Sequence, residues 1–166
     1  MLSEWLSQEL GLQLLSKDFI KEKLFDELNC ETRARSIELG KASFATLLDQ
    51  CRRRVLARES FIVESAFRKN DGPILATIFQ NYRVLHVNCT ASKAVIIARF
   101  ELRALSGERH RGHLDTENVR GLSKMLEDGI FDLVIPGAIR VDVHTSDFSS
   151  HVYRVAKTKI LNEYAN

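Results

Sequence analysis

Four short runs of strand-forming residues, LQLLS at 12–16, SFIVESA at 60–66, RVLHVNC at 83–89 and IRVDVHTS at 139–146, are separated by longer stretches whose apolar positions repeat at helical spacing. Strands joined by crossovers of roughly a dozen residues or more run parallel, and the crossover helices cover the sheet. Right-handed crossovers narrow the topology further. In such sheets ligands collect at the carboxyl ends of the strands. That edge would gather Asp18, Glu64 with Arg68, and the residues that follow Cys89, although they lie far apart in the chain.

The helices between these runs have readable limits. Leu2, Trp5, Leu6 and Leu10 line one face of an opening helix that stops at Gly11. In KDFIKEKLFDEL, Ile20, Leu24 and Leu28 line one face and Asp18 is placed to cap the first turn. From Glu31 to about Arg58, Ile37, Phe44, Leu47, Leu48, Cys51 and Val55 keep one helical period, interrupted at Gly40. Its basic end, Arg52, Arg53, Arg54 and Arg58, suits the negative pole of the helix dipole. Pro73 can begin PILATIFQN, SKAVIIARFELRAL at 92–105 is a fifth helical stretch, Thr116 can cap TENVRGLSKMLEDG, and FSSHVYRVAKTKILNEYA closes the chain.

At 166 residues, 45% hydrophobic and 28% charged, the chain is expected to fold as a single domain with one full core. Its 24 basic and 22 acidic residues leave a net charge of +2, too little to mark a nucleic-acid or membrane surface. The three cysteines, Cys30, Cys51 and Cys89, form no CxxC pair, and the apolar run AVIIA at 94–98 falls far short of a membrane span of ~20 residues. With no signal-like start, these features lead to the expectation of a cytoplasmic protein.

Chemistry concentrates in RFELRALSGERHRGHLD. Arg99 and Arg103 share a helix face, and Arg109 and Arg111 follow in a loop loosened by Gly107 and Gly112. Guanidinium forks match phosphate or carboxylate oxygens in pairs, so converging arginines suit an anion. His110 and His113 have H-x-x-H spacing but no supporting Cys or His nearby, so no metal site is expected. Asp115 is placed to pair with one of these arginines or to cap the following helix.

With this order in place, the chain resembles the P-loop kinases of the AAA-related and zeta-toxin-like kind, a group that includes chloramphenicol phosphotransferase-like enzymes. The resemblance runs from residue 2 to about 164. It rests on LLSKDFIKEKLFDEL, FIVESAFRK, VLHVNCTA, the Arg99 and Arg103 pair with RHRGHLD, and RVDVHTS, in that order. It implies a three-layer α/β fold, a parallel sheet with helices on both faces and a lid at about 99–115. It also implies transfer of the γ-phosphoryl of ATP, with Mg²⁺, to a small-molecule hydroxyl. Asp18 falls where such kinases hold the acid that accepts or orients the substrate hydroxyl, Glu64 at a substrate- or magnesium-side acid, and Arg68 at a substrate-side arginine. Arg99, Arg103, Arg109 and Arg111 fall where lid arginines meet nucleotide phosphates, and Arg103 joins Asp18 and Glu64 as a catalytic candidate.

One part of the pattern is missing. No G-x-x-x-x-G-K-[ST] occurs in the 166 residues; the single Gly-Lys pair, Gly40-Lys41, is followed by Ala42 within a helical stretch. By the resemblance Met1 falls at or just after the Walker Ser/Thr, so the family's first strand, central in its sheet, is expected to be absent with the loop. Two edges would then lie unpaired, which would favour association between chains. The expectation is a kinase-like domain impaired or inactive in these residues, whether a shortened or a divergent form. Its rival is a non-catalytic module, derived from such a kinase, that binds an anion, a nucleotide or a partner. Nucleic acid is a weaker partner still, because no aromatic residues interleave with the arginines.

Overall fold

The computed structural model describes residues 1–28, 32–106, 110, 113, 119–146 and 150–165, with the backbone path alone for 119, 120 and 150–153. The chain divides into two compact units, Met1–Phe67 with Ala104–Glu117, and Arg68–Arg103 with Asn118–Asn166.

In the first unit, α1 (Leu2–Leu10) ends where Gly11 turns left-handed at φ +63° and its N–H returns to the Ser7 carbonyl. Glycine fills that position because a Cβ there would strain the backbone. Then come β1 (Gln13–Ser16), α2 (Lys17–Leu28), α3 (Arg33–Leu56) and β2 (Phe61–Glu64). β1 and β2 pair in parallel, Gln13 opposite Phe61 through Ser16 opposite Glu64. The α2–α3 crossover between them is the connection that a parallel pair requires.

α3 runs unbroken past Gly40, and Thr32 Oγ1 caps it by accepting the Arg35 N–H at 3.3 Å. The buried faces differ from those predicted. α2 buries Lys21 and Phe25, whereas Leu28 is half exposed; α3 buries Ser36, Leu39 and Ser43 in place of Ile37. Hydrogen bonding explains the polar members. Lys21 Nζ donates to Ser36 Oγ at 2.9 Å, and Ser43 Oγ donates to the Leu39 carbonyl at 2.6 Å. A buried ammonium or hydroxyl with a partner avoids most of the desolvation cost, so hydropathy alone misplaces such a face.

In the second unit a 3₁₀ turn (Lys69–Asp71) leads into α4 (Gly72–Ile78), followed by β3 (Leu85–Thr90), α5 (Lys93–Ser106), α6 (Val119–Glu127), β4 (Ile139–His144) and α7 (Ser150–Ala165). The last turn of α5 is grouped with the first unit. Gly72 admits no side chain, because a Cβ would stand 2.1 Å from the Val134 carbonyl oxygen. β3 and β4 also pair in parallel, Leu85 opposite Ile139 through Thr90 opposite His144. Val141 and Val143 are buried while Arg140, Asp142 and His144 are exposed, an alternation unlike the two apolar faces usual in parallel sheets. Arg83 donates from both Nη atoms to the Glu163 and Tyr164 carbonyls, placing a cation at the negative end of α7.

All four strands are therefore where the sequence puts them, within a residue or two, and both pairings are parallel. They form two two-stranded sheets rather than one continuous sheet, and among the described residues no further strand bridges them. No helix of the described residues is long and apolar enough to cross a membrane.

Candidate functional site

Parallel pairing brings the carboxyl ends of β1 and β2 together. There Ser16 Oγ donates to Glu64 Oε2 at 2.8 Å and accepts the Phe19 N–H at 3.4 Å. Ser16 thus ends β1, caps α2 and holds the Glu64 carboxylate. The cap predicted at Asp18 belongs to Ser16, two residues earlier. Asp18 lies in the first turn of α2, where a carboxylate meets the positive helix end, and pairs with Lys17 Nζ at 3.3 Å. Asp18 and Glu64 accordingly lie at the carboxyl end of the β1–β2 sheet, whereas Arg68 and the residues after Cys89, expected at the same edge, belong to the second unit, where β3 pairs with β4 in a separate sheet.

Beside Glu64, the Ser65 hydroxyl is buried and has no hydrogen-bond partner among the described residues. Leaving such a group unpaired costs about 1–3 kcal/mol. An orphaned hydroxyl next to a strand-end carboxylate suits a further polar group arriving at this edge.

The second unit carries Arg68, Arg99 and Arg103. Arg68 begins the 3₁₀ turn, its N–H donating to Asp71 Oδ2 at 2.7 Å. The Arg99 guanidinium reaches the residues just beyond β4, donating through Nη2 to the Thr145 and Ser146 carbonyls at 2.6 and 3.2 Å and through Nη1 to Thr145 Oγ1 at 3.4 Å. It is thus a strut at the carboxyl end of the β3–β4 sheet. Arg103 Nε donates to the Arg99 carbonyl at 3.4 Å. Arg109, Arg111, Asp115 and Thr116 lie outside the described residues, as does Cys30.

Sequence reasoning gave no role to the exposed face of β3 and β4. Asn88 Nδ2 donates to Asp142 Oδ1 at 2.7 Å, Arg140 Nε donates to the same oxygen at 2.9 Å, and Thr90 Oγ1 lies 3.1 Å from His144 Nδ1. The Asn88 amide, with Arg140, holds the Asp142 carboxyl below the usual carboxylate range. Burial, reinforced by Arg140 and opposed by Asp142, pushes the His86 imidazole down. Polar residues at every second position were the available signal. Neither described cysteine is poised as a thiolate by contrast, since burial pushes the Cys51 thiol up to about 11 and raises that of Cys89.

His110 and His113 engage separate carboxylates of α2. His110 Nε2 lies 3.0 Å from Asp26 Oδ1, and His113 Nε2 lies 3.0 Å from Glu22 Oε1. Gly40-Lys41 sits inside α3, where the backbone amides are spent on the helix, so no phosphate cradle forms there. A nucleotide's phosphates therefore do not fit the one Gly-Lys pair these residues contain.

No family model matches the chain, and no curated protein matches it. Among solved structures it is similar to a Chloroflexus aurantiacus J-10-fl protein described as a candidate kinase, with 26% identity, 95% of this chain and 88% of that one covered, and a TM-score of 0.73. The chain has a kinase-like fold.

Proposed function

We propose that the chain is a kinase-like phosphotransferase domain of the P-loop, zeta-toxin-like group, acting on a hydroxyl of a small molecule, with ATP and Mg²⁺ as donor and cofactor. The likeness to the Chloroflexus protein over 95% of the chain carries this reading. Asp18 and Glu64 supply the acceptor-side acids, Arg68 the substrate side, and Arg99, Arg103, Arg109 and Arg111 the phosphate side. Residues 1–166 contain no G-x-x-x-x-G-K-[ST] loop, so transfer by them alone is impaired or absent.

A non-catalytic module derived from such a kinase, binding an anion, a nucleotide or a partner, is the second reading. It is favoured by the lack of a G-x-x-x-x-G-K-[ST] loop in residues 1–166, and Arg99 is not its best anion ligand. An arginine already bonded to two backbone carbonyls is a fixed anchor for its helix rather than a group free to follow a transferring phosphoryl. Calorimetry with ATP, ADP and inorganic phosphate tests the arginine assignment. Binding should weaken about tenfold or more in Arg103→Ala, in keeping with a charge-assisted bond of about 1.5–3 kcal/mol. Equal heats from variant and parent would remove Arg103 from both readings.

A further inference from the structure

At the amino end of β1, away from the edge that carries Asp18 and Glu64, lies a cleft of about 340 Å³ lined wholly by residues of the first unit. Its apolar part is Leu15, which is buried, with Ala57. Beside these stand Gln13 of β1 and Gln50 of α3, whose side-chain amides meet no partner among the described residues. Each amide keeps two N–H donors and an acceptor oxygen available.

Arg53 and Arg54 complete the cleft together with Glu59, and each arginine is already held in place. Asp49 Oδ2 accepts from Arg53 Nε at 2.9 Å and lies 2.8 Å from its Nη2, while Glu59 Oε2 accepts from Arg54 Nη1. The turn after α3 puts Glu59 there. Arg58 takes the left-handed backbone at φ +56°, its N–H returns to the Val55 carbonyl at 3.1 Å, and the Glu59 N–H returns to the Arg54 carbonyl at 3.0 Å. A guanidinium carries its donors in a fixed fork, so pairing with one carboxylate leaves others unspent on each arginine. Because both forks are already oriented, a ligand that meets them orders little more of the side chains.

Charge decides the kind of ligand. Arg52, Arg53, Arg54 and Arg58 gather at this end of α3 against two carboxylates, Asp49 and Glu59, and the negative helix end offsets only about half a charge. The excess is positive. An apolar floor, two neutral amides and two guanidiniums match a molecule with an anionic head and a short neutral body, and the volume is that of a small-molecule site.

We propose that this cleft binds a small organic anion, with its carboxylate or phosphate head on Arg53 and Arg54 and its body over Leu15 between Gln13 and Gln50. The inference stands apart from the kinase reading, since it uses the opposite end of β1 and none of the residues assigned to transfer.

NMR titration of the full chain, read at the Gln13 and Gln50 side-chain amides, tests it with succinate and glycerol phosphate as probes and potassium chloride at matched ionic strength as the control. One or both probes should shift these signals saturably, with a Kd of about 1 mM or tighter, whereas chloride should not. Arg54→Gln should weaken that binding about tenfold or more, as for loss of a charge-assisted bond. Ala57→Trp, which fills the cleft from its exposed rim, should abolish it. Arg52→Gln, outside the lining, should change it by less than about threefold, because a solvated charge is screened. Backbone amide spectra show whether each variant is folded, and if Arg54→Gln is not, Ala57→Trp and Arg52→Gln carry the test. Saturation by succinate alone assigns a carboxylate head, and by glycerol phosphate alone a phosphate head. No saturable shift with either probe, equal weakening in Arg52→Gln and Arg54→Gln, or binding that survives Ala57→Trp would each overturn the proposal.

Discussion

Ser16 Oγ donates to Glu64 Oε2 at 2.8 Å, joining the last residues of β1 and β2, which face each other across the sheet although 48 positions separate them in sequence. The same oxygen accepts the Phe19 N–H in the first turn of α2. One hydroxyl thus terminates a strand, begins a helix and orients a carboxylate.

Ser16→Ala removes both bonds. It should cost about 0.5–2 kcal/mol of stability, the range for losing a helix cap, measured by urea unfolding. Ser16→Thr keeps an acceptor at the cap and should recover most of it. A Ser16→Ala chain as stable as the parent would show that Ser16 neither caps α2 nor holds Glu64 in solution.

Ser65→Ala should behave in the opposite way. Its buried hydroxyl has no partner among the described residues, so removing it relieves an unmet desolvation cost and should leave thermal stability unchanged or raise it by up to ~1 kcal/mol. If the hydroxyl meets a ligand at this edge, the same variant binds that ligand more weakly. Destabilisation by more than ~1 kcal/mol would mean that the hydroxyl is already satisfied within the fold.

His86 gives the fold a pH dependence whose sign is fixed by burial. Its folded imidazole titrates below the ordinary value of 6.5, so on acidification the unfolded chain takes up a proton first. This contribution to stability is present above about pH 6.5 and is lost as pH falls toward the lowered folded value. An NMR titration of the His86 ring should show a midpoint below 6.5, moving upward in Arg140→Gln. A midpoint at or above 6.5 would contradict the buried setting, and no movement in Arg140→Gln would remove the charge contribution.

Strand positions, parallel pairing and helix order were legible because each depends on local periodicity and connection length. β-Branched runs such as FIVE and the Gly11 stop have few other solutions. The pairing of Asp18 and Glu64 along one edge followed from parallel topology alone. Faces that rely on hydrogen bonds were not legible. Lys21 reads as a surface lysine until Ser36, fifteen residues on, proves to be its buried partner. Ser16 was hidden as a cap because it also ends a strand. His110 and His113 read only as an H-x-x-H spacing at which no metal is expected, since nothing local announces that Glu22 and Asp26, more than eighty residues earlier, meet them. Arg99 reads as a phosphate ligand, whereas its described bonds go to carbonyls beyond β4.

The central claim, a kinase-like phosphotransferase with its acceptor side at the β1–β2 edge, is tested most directly by transfer of labelled γ-phosphoryl from Mg-ATP to a pooled panel of small hydroxyl compounds. The assay is run on residues 1–166 and on any longer in-frame product of the same gene that contains a G-x-x-x-x-G-K-[ST] loop. Residues 1–166 alone should transfer at or near background. A product with the loop should transfer, and Asp18→Asn should lower its rate about 10²–10⁴-fold, as for loss of a general base. A folded, ATP-binding product that transfers nothing, or transfer indifferent to Asp18→Asn and Glu64→Gln, would contradict the account.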